Sequence, residues 1–144
     1  GCLVGSEMCI RDSIKTGELV FINAGHESIL TFDQNKNYEY IKSDMPPIGI
    51  VKYFTESMVK SSTINLKDKT FVVYTDGVTE GYMKNGEELG AEGVQKIINE
   101  MSQVTPKSIV EAIEKELNWG AEKLRDDITC MAININNTEL IKKK

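Results

Sequence analysis

The sequence has little of several features that define common classes of protein. Three cysteines occur in 144 residues, none in a CxxC pair, beside one histidine. Neither a disulfide framework nor a Cys/His zinc site follows from such a set. No apolar stretch approaches the roughly 20 residues that a membrane span needs, and no basic region followed by an apolar core marks a secretory signal. These observations favour a reducing, cytoplasmic location.

Positive charge is also scarce. Seventeen Lys and Arg stand against 22 Asp and Glu, a formal net charge of -5, and the one basic run is Lys142-Lys143-Lys144. Nucleic acid is therefore disfavoured as a partner, because phosphate binding needs clustered basic residues. No P-loop or GxGxxG stretch occurs, and no serine has a base at a motif spacing, so nucleotide binding and acyl transfer receive little support.

The two ends of the chain differ from its middle. Residues 1–13 show no clear helical or strand period and resemble a translated adapter sequence, so we predict a non-native segment there. The alternative is an ordinary N-terminal segment. On the first interpretation the natural sequence begins near Ile14 and its upstream part is missing. Residues 14–136 then form the folded portion, and 137–144 a polar tail.

The middle of the chain predicts an α+β fold, with strands first and a pair of helices late. Alternating or continuous apolar runs predict strands at 18–23, 28–32, 37–42, 54–66, 70–75 and 128–135. Apolar residues at helical spacing predict helices at 91–102 and 106–118. Thr105 is the expected N-cap of the second helix, with Pro106 at its first position. The strand 70–75 is the most apolar and is expected to be central.

Acidic residues stand at the ends of the two most apolar strands. Asp76 and Gly77 directly follow the strand 70–75, and Asp126 and Asp127 directly precede the final strand. If these strands are antiparallel neighbours, Asp76 and Asp126 converge. Converging carboxylates without Cys or His favour a hard cation, Mg²⁺ or Mn²⁺, over zinc. The alternative is an ordinary turn at Asp-Gly and a solvated loop or cap at Asp-Asp.

His26, the only histidine, follows a predicted strand in Asn23-Ala24-Gly25-His26. A histidine in such a place can act as a general acid near a phosphate. The interpretation that we prefer is structural, with His26 hydrogen-bonded to the main chain of its loop.

Four stretches carry a resemblance to a known family. In chain order they are Thr16-Gly17-Glu18-Leu19 leading into Asn23-Ala24-Gly25-His26, then Pro47-Ile48-Gly49-Ile50, then Tyr74-Thr75-Asp76-Gly77-Val78-Thr79-Glu80, and Asp126-Asp127-Ile128-Thr129. Over about residues 14–136 the chain resembles the C-terminal half of the SpoIIE-like serine phosphatases of bacteria, a branch of the metal-dependent protein phosphatase (PPM) family. One Asp-Gly or Asp-Asp alone is a weak signal, whereas four stretches in order are specific.

The resemblance implies part of a PPM-type α-β-β-α sandwich, with antiparallel sheets flanked by helices and the N-terminal half missing. It also implies hydrolysis of phosphoserine or phosphothreonine by a water bound to two Mn²⁺ or Mg²⁺ ions. Carried over to this sequence, Asp76 and Asp126 are implied metal ligands, and Asp127 is an adjacent ligand or supports them. The implied supporting residues are Gly77, Glu80, Asn23 and His26.

The resemblance further implies a phosphorylated regulatory protein as substrate, often a STAS-type anti-sigma-factor antagonist, and a sensor or receiver domain upstream. Two acidic segments of the family are not found here and are expected before residue 14, so this chain by itself is expected to be inactive. Two alternatives stay open: a noncatalytic, pseudophosphatase-type binding module, and a two-metal phosphohydrolase that acts on small molecules.

Overall fold

The computed structural model describes residues 3–4, 8–13, 15–117 and 127–135, the first two ranges by their main chain. The strands are β1 (Leu3–Val4), β2 (Met8–Ser13), β3 (Glu18–Asn23), β4 (Ile29–Asp33), β5 (Tyr38–Ile41), β6 (Ser62–Asn65), β7 (Lys69–Tyr74) and β8 (Cys130–Ile133). The helices are α1 (Asp76–Thr79), α2 (Gly90–Glu100) and α3 (Pro106–Glu116), and a 3₁₀ turn spans Glu56–Met58. The α+β fold class is confirmed.

One four-stranded sheet has the order β1-β2-β3-β6 and is antiparallel throughout. In β3, Leu19 and Phe21 are buried while Glu18 and Val20 are exposed. This alternation is typical of a strand with one face on the core, because successive side chains point to opposite faces. The predicted bounds of this strand, 18–23, are confirmed.

The first residues of the chain take part in this sheet. All six residues of β2 pair with β3, from Met8 opposite Asn23 to Ser13 opposite Glu18. The main chain of β1 and β2 is therefore regular structure, although the sequence of this segment shows no clear strand period. The origin of the segment is a separate matter, and its being non-native stays a prediction.

The other four-stranded sheet has the order β5-β4-β7-β8. Five of the six residues of β7 are buried. β7 lies between β4 and β8 in this sheet. A strand inside a sheet that is covered on both faces reads as a continuous apolar run rather than an alternating one. The central place predicted for the strand 70–75 is confirmed.

The two long helices follow the predicted apolar spacing. Val94 and Ile98 are the buried residues of α2, and Ile109 and Ile113 those of α3. Thr105 caps α3 as predicted: its hydroxyl oxygen accepts a hydrogen bond from the Ser108 amide at 3.1 Å. α3 ends at Glu116, two residues before its predicted end.

The predicted strand 54–66 is only partly correct. Its first half contains the 3₁₀ turn Glu56–Met58, and β6 covers just Ser62–Asn65. Phe54, Met58 and Val59 are exposed, so their apolar character does not mark a face that packs on a sheet. Within the ranges described above, no helix is long and apolar enough to cross a membrane.

The chain divides into two compact units. One comprises residues 1–71 and 134–144, and its core includes the rings of Phe21 and Phe71, which meet edge to face with centroids 5.1 Å apart. The other comprises residues 72–133, in which α3 packs against β8 and both α1 and α3 against α2.

Candidate functional site

The end of β7 and the start of β8 are joined side by side. The Thr75 amide donates to the Thr129 carbonyl oxygen at 3.0 Å, and the Thr129 amide donates to Thr75 Oγ1 at 3.0 Å. At the other end of these strands, Asn134 Nδ2 donates to Thr70 Oγ1 at 3.4 Å. The strands therefore run in opposite directions, which is the condition stated above for the convergence of Asp76 and Asp126.

Asp76 stands directly beyond β7, at the first position of the one-turn helix α1. Its side chain is exposed, and its Oδ1 accepts a hydrogen bond from the Gly77 amide at 2.9 Å. Its carbonyl oxygen accepts from the Glu80 amide at 2.8 Å. The side chain is thus held close to its own main chain at the sheet edge.

Gly77 allows the segment before β8 to approach. A Cβ atom on residue 77 would lie 2.5 Å from the Asp127 carbonyl oxygen and 3.1 Å from its carbonyl carbon. Real Cβ atoms do not approach main-chain atoms so closely, so the contact requires glycine. Glycine at this position thus permits the approach of the two chain segments, and its supporting role at a metal site stays a prediction.

Asp127 has an exposed side chain, and its carbonyl oxygen accepts a hydrogen bond from Thr75 Oγ1 at 2.9 Å. The structure thus brings the main chain of Asp127 beside the residues on either side of Asp76. Asp126 lies outside the described residues. Glu80 follows α1 and has an exposed side chain. The hydrogen bond from its amide to the Asp76 carbonyl oxygen closes the turn.

These donors agree in kind with a hard divalent cation, since they are exposed carboxylates without sulfur or imidazole ligands. In number they are too few for the two ions that the resemblance implied. Among the residues that the structure describes, no group of three His, Cys, Asp or Glu could hold a metal ion.

Asn23 and His26 belong to the other unit and make a local arrangement of their own. Asn23 is buried, its Oδ1 accepts from the His26 amide at 2.9 Å, and its Nδ2 donates to the Glu27 carbonyl oxygen at 3.2 Å. The Asn23 side chain thus holds the turn in which His26 lies. These bonds involve the main chain of His26, and the structural role of its imidazole stays a prediction.

Two of the four recognised stretches pack on each other in this unit. Gly25 has a positive φ of 83°, and a Cβ there would collide with the ring of Pro47. Ser43 Oγ joins the same region, because it accepts from the Gly25 amide at 2.7 Å and donates to the Asn23 carbonyl oxygen at 2.9 Å. The stretches 23–26 and 47–50 therefore form one loop cluster.

A cleft of about 280 Å³ lies beside α3 and β8, lined by Val110, Ile113, Glu114, Ile128, Thr129 and Cys130. Cys130 is half-buried. Burial raises the pKa of its thiol to about 11, so the neutral form dominates at ordinary pH. Cys130 is thus unsuited to be a nucleophile.

Thr75 and Thr129 carry no functional signal of their own in the sequence, although both stand inside the stretches that resemble the family. Threonine is common in strands, and nothing in its sequence context shows where a hydroxyl points. The one available signal is position, since each threonine is separated by one residue or none from an acidic candidate.

The fold has relatives among solved structures. The chain is similar to the SiaA-PP2C domain of Pseudomonas aeruginosa, with a TM-score of 0.63 and 18% identity over 90% of this chain and 51% of that chain. It is similar to the phosphatase domain of the cell fate determinant SpoIIE from Bacillus subtilis, with a TM-score of 0.64 and 17% identity over 92% of this chain and 56% of that chain. These likenesses define the fold as that of a PP2C-type phosphatase domain. The chain spans about half the length of these two structures.

A third similar structure contains the RsbU and RsbW domains of a Mycobacterium tuberculosis protein, with a TM-score of 0.57 and 18% identity over 93% of this chain and 38% of that chain. Among curated proteins, no significant match was found. The chain belongs to the Stage II sporulation protein E (SpoIIE) family, because the model of that family matches residues 6–136. The resemblance to SpoIIE-like phosphatases is confirmed.

Proposed function

We propose that this chain is the C-terminal portion of a metal-dependent protein serine/threonine phosphatase domain. It supplies Asp76, Asp126 and Asp127 to a site for Mn²⁺ or Mg²⁺. The observation that carries the proposal is the joining of the β7 end to the segment before β8, through Thr75 and Asp127. This joining sets two acidic stretches of the chain side by side at one sheet edge.

The roles of the residues follow from their chemistry. Asp76 and Asp127 present exposed carboxylates, and a hard divalent cation prefers such oxygen ligands. Bound divalent ions would lower the pKa of a water molecule and neutralise charge on a phosphoryl group. Gly77 and Glu80 shape the loop that carries Asp76, and Asn23 and His26 support a loop of the other unit. Two similar structures, of SpoIIE and of RsbX, are described with manganese and magnesium respectively, which supports this class of ion.

The substrate that we propose is a phosphorylated regulatory protein of bacterial signalling, with a STAS-type anti-sigma-factor antagonist as the first candidate. The similarity to a structure that contains RsbU and RsbW domains supports a regulatory setting. A sensor or receiver domain upstream belongs to the same proposal. Because the chain spans about half of its structural relatives, the remaining metal ligands are expected from the rest of the domain.

The test uses the complete domain that contains this chain, a phosphoserine substrate and Mn²⁺. Asp76→Asn and Asp126→Asn should each lower turnover on the order of 10²-fold or more, because the amide keeps the shape but removes a charge that the cation needs. Asp68→Asn is the matched control, an equal loss of charge at an exposed hairpin turn, and should leave turnover unchanged. Near-normal turnover of both site variants would mean that these carboxylates are turn residues.

A second candidate is a noncatalytic, pseudophosphatase-type binding module. The observation that favours it is the absence, among the described residues, of three potential metal ligands in one group. A complete domain that binds the phosphoprotein but shows neither Mn²⁺ binding nor turnover would establish this alternative.

A further inference from the structure

The hydroxyl of Thr75 makes two hydrogen bonds to the segment before β8, at the end of β7 where the candidate site lies. Its Oγ1 donates to the Asp127 carbonyl oxygen at 2.9 Å and accepts from the Thr129 amide at 3.0 Å. The main chain adds a third bond, from the Thr75 amide to the Thr129 carbonyl oxygen at 3.0 Å. A hydroxyl can donate one hydrogen bond and accept another. The Thr75 hydroxyl thus binds both the Asp127 carbonyl oxygen and the Thr129 amide. We call this set of three bonds the Thr75 bridge.

The position of Thr75 makes this use of its hydroxyl informative. Thr75 is the N-cap residue of α1, where a threonine hydroxyl ordinarily accepts from an amide in the first turn. Thr105, the N-cap of α3, does this with the Ser108 amide at 3.1 Å. Thr75 makes no such side-chain bond to its helix. Its hydroxyl forms hydrogen bonds with Asp127 and Thr129 of the neighbouring segment instead.

The first turn of α1 is satisfied by other groups. The Gly77 amide donates to Asp76 Oδ1 at 2.9 Å, and the Val78 amide donates to the Thr75 carbonyl oxygen at 2.9 Å. Because these bonds serve the helix end, the Thr75 hydroxyl is available for Asp127 and Thr129.

Two features of the neighbouring segment determine where the Asp127 carbonyl lies. Thr75 Oγ1 donates to its oxygen, and the missing side chain of Gly77 leaves the space in which that carbonyl lies. An aspartate side chain can move only as far as its main chain and its χ angles allow. Fixing the Asp127 main chain therefore restricts where the Asp127 carboxylate can reach relative to Asp76.

We propose that Thr75 is a positioning residue: its hydroxyl fixes the main chain of 127–129 against the end of β7, and thereby sets the distance from Asp127 to Asp76. The proposal rests on the proposed function for its consequence in metal binding. The bridge itself concerns residues of the metal-free chain, so the two can be tested apart.

The first experiment compares Thr75→Val with Thr75→Ser in the metal-free, ¹⁵N-labelled 144-residue chain, by hydrogen exchange of the Thr129 amide. Valine keeps the shape and removes both hydroxyl bonds, so the Thr129 amide should exchange about tenfold faster relative to the buried-strand amide of Val72. Serine keeps the hydroxyl and should restore slow exchange. Thr105→Val, which removes a hydroxyl at the other cap, should leave the Thr129-to-Val72 ratio unchanged.

The second experiment measures Mn²⁺ dependence in the complete phosphatase domain. Thr75→Val should raise the Mn²⁺ concentration for half-maximal activity about tenfold, with kcat at saturating Mn²⁺ within about threefold of the unsubstituted domain, since a displaced ligand weakens binding more than chemistry. Direct Mn²⁺ binding, by titration without substrate, should weaken by the same factor. Thr75→Ser should match the unsubstituted domain in both measurements.

Each result has a definite meaning. An unchanged Thr129 exchange ratio in Thr75→Val overturns the bridge, and a changed ratio with unaltered Mn²⁺ affinity overturns its positioning role. If the unsubstituted complete domain neither binds Mn²⁺ nor turns over, the proposed function fails and the metal consequence of the bridge fails with it. Should Thr75→Val not fold, the pair Thr75→Ala and Thr75→Ser makes the same comparison.

Discussion

The main chain of Gly77 and the carbonyl of Asp127 occupy adjoining space, so that a Cβ atom on residue 77 would lie 2.5 Å from the Asp127 carbonyl oxygen. Residue 77 follows Asp76 at the end of one strand, and residue 127 precedes the next strand of the same sheet. The absence of a single carbon atom thus permits two acidic stretches, 50 residues apart in the chain, to meet at one edge.

Gly77→Ala should destabilise the chain by about 1–3 kcal/mol, because the added carbon collides with main chain, which cannot rotate aside as a side chain can. The measurement is urea unfolding of the 144-residue chain. Gly93→Ala is the matched control, since its Cβ would meet the end of the Leu89 side chain in a helix that favours alanine. We expect the control to change stability by less than about 1 kcal/mol. Equal effects of the two variants would contradict the close approach at residue 77.

Asn23→Ala should cost about 1–3 kcal/mol, because it removes the acceptor of the His26 amide and the donor to the Glu27 carbonyl from a buried position. His26→Ala should cost less, since alanine retains the amide that Asn23 accepts. Urea unfolding of both variants makes the comparison. A larger loss for His26→Ala would show that its imidazole contributes more than we propose.

Deletion of residues 1–13 tests whether that segment is native. If it is foreign to the domain, we expect the free energy of unfolding to change by no more than roughly 0.5 kcal/mol, the scale of uncoupled surface changes. If the segment is a native part of the domain, its deletion removes the strand that pairs with β3 and leaves an unpaired sheet edge. The free energy of unfolding should then fall by several kcal/mol. Deletion of the predicted polar tail, 137–144, is the control and should have no effect.

Cys130 should react slowly with iodoacetamide at pH 8 in the native chain. Burial disfavours the thiolate and raises the pKa of Cys130 to about 11, so the reactive form is on the order of 10⁻³ of the thiol at that pH. The labelling rate should rise as the pH increases toward that pKa. Mass spectrometry of labelled peptides measures it, and in denaturant Cys130 should react as fast as Cys2 and Cys9. Rapid native labelling at pH 8 would contradict the burial of this thiol.

The elements that the sequence predicted well are those whose side-chain pattern or capping residues lie within the element or directly beside it. The strand Glu18–Asn23 alternates apolar and polar side chains, and the helix Pro106–Glu116 has a capping threonine and a first-turn proline at its start. The stretch 54–66 misled the prediction, because exposed apolar residues there imitate a strand face. Side-chain period records local conformation, and it cannot distinguish an apolar residue on the core from one in a loop.

The sequence by itself determined the α+β class, the family and the acidic residues at the strand ends, since all of these are written in residue types and their order. Only the tertiary structure decided that Thr75 gives its hydroxyl to Asp127 and Thr129, and that Gly77 admits the Asp127 carbonyl. The physical reason is that such contacts join residues 50 or more positions apart. Their geometry depends on how neighbouring strands pair, which no local pattern of side chains specifies.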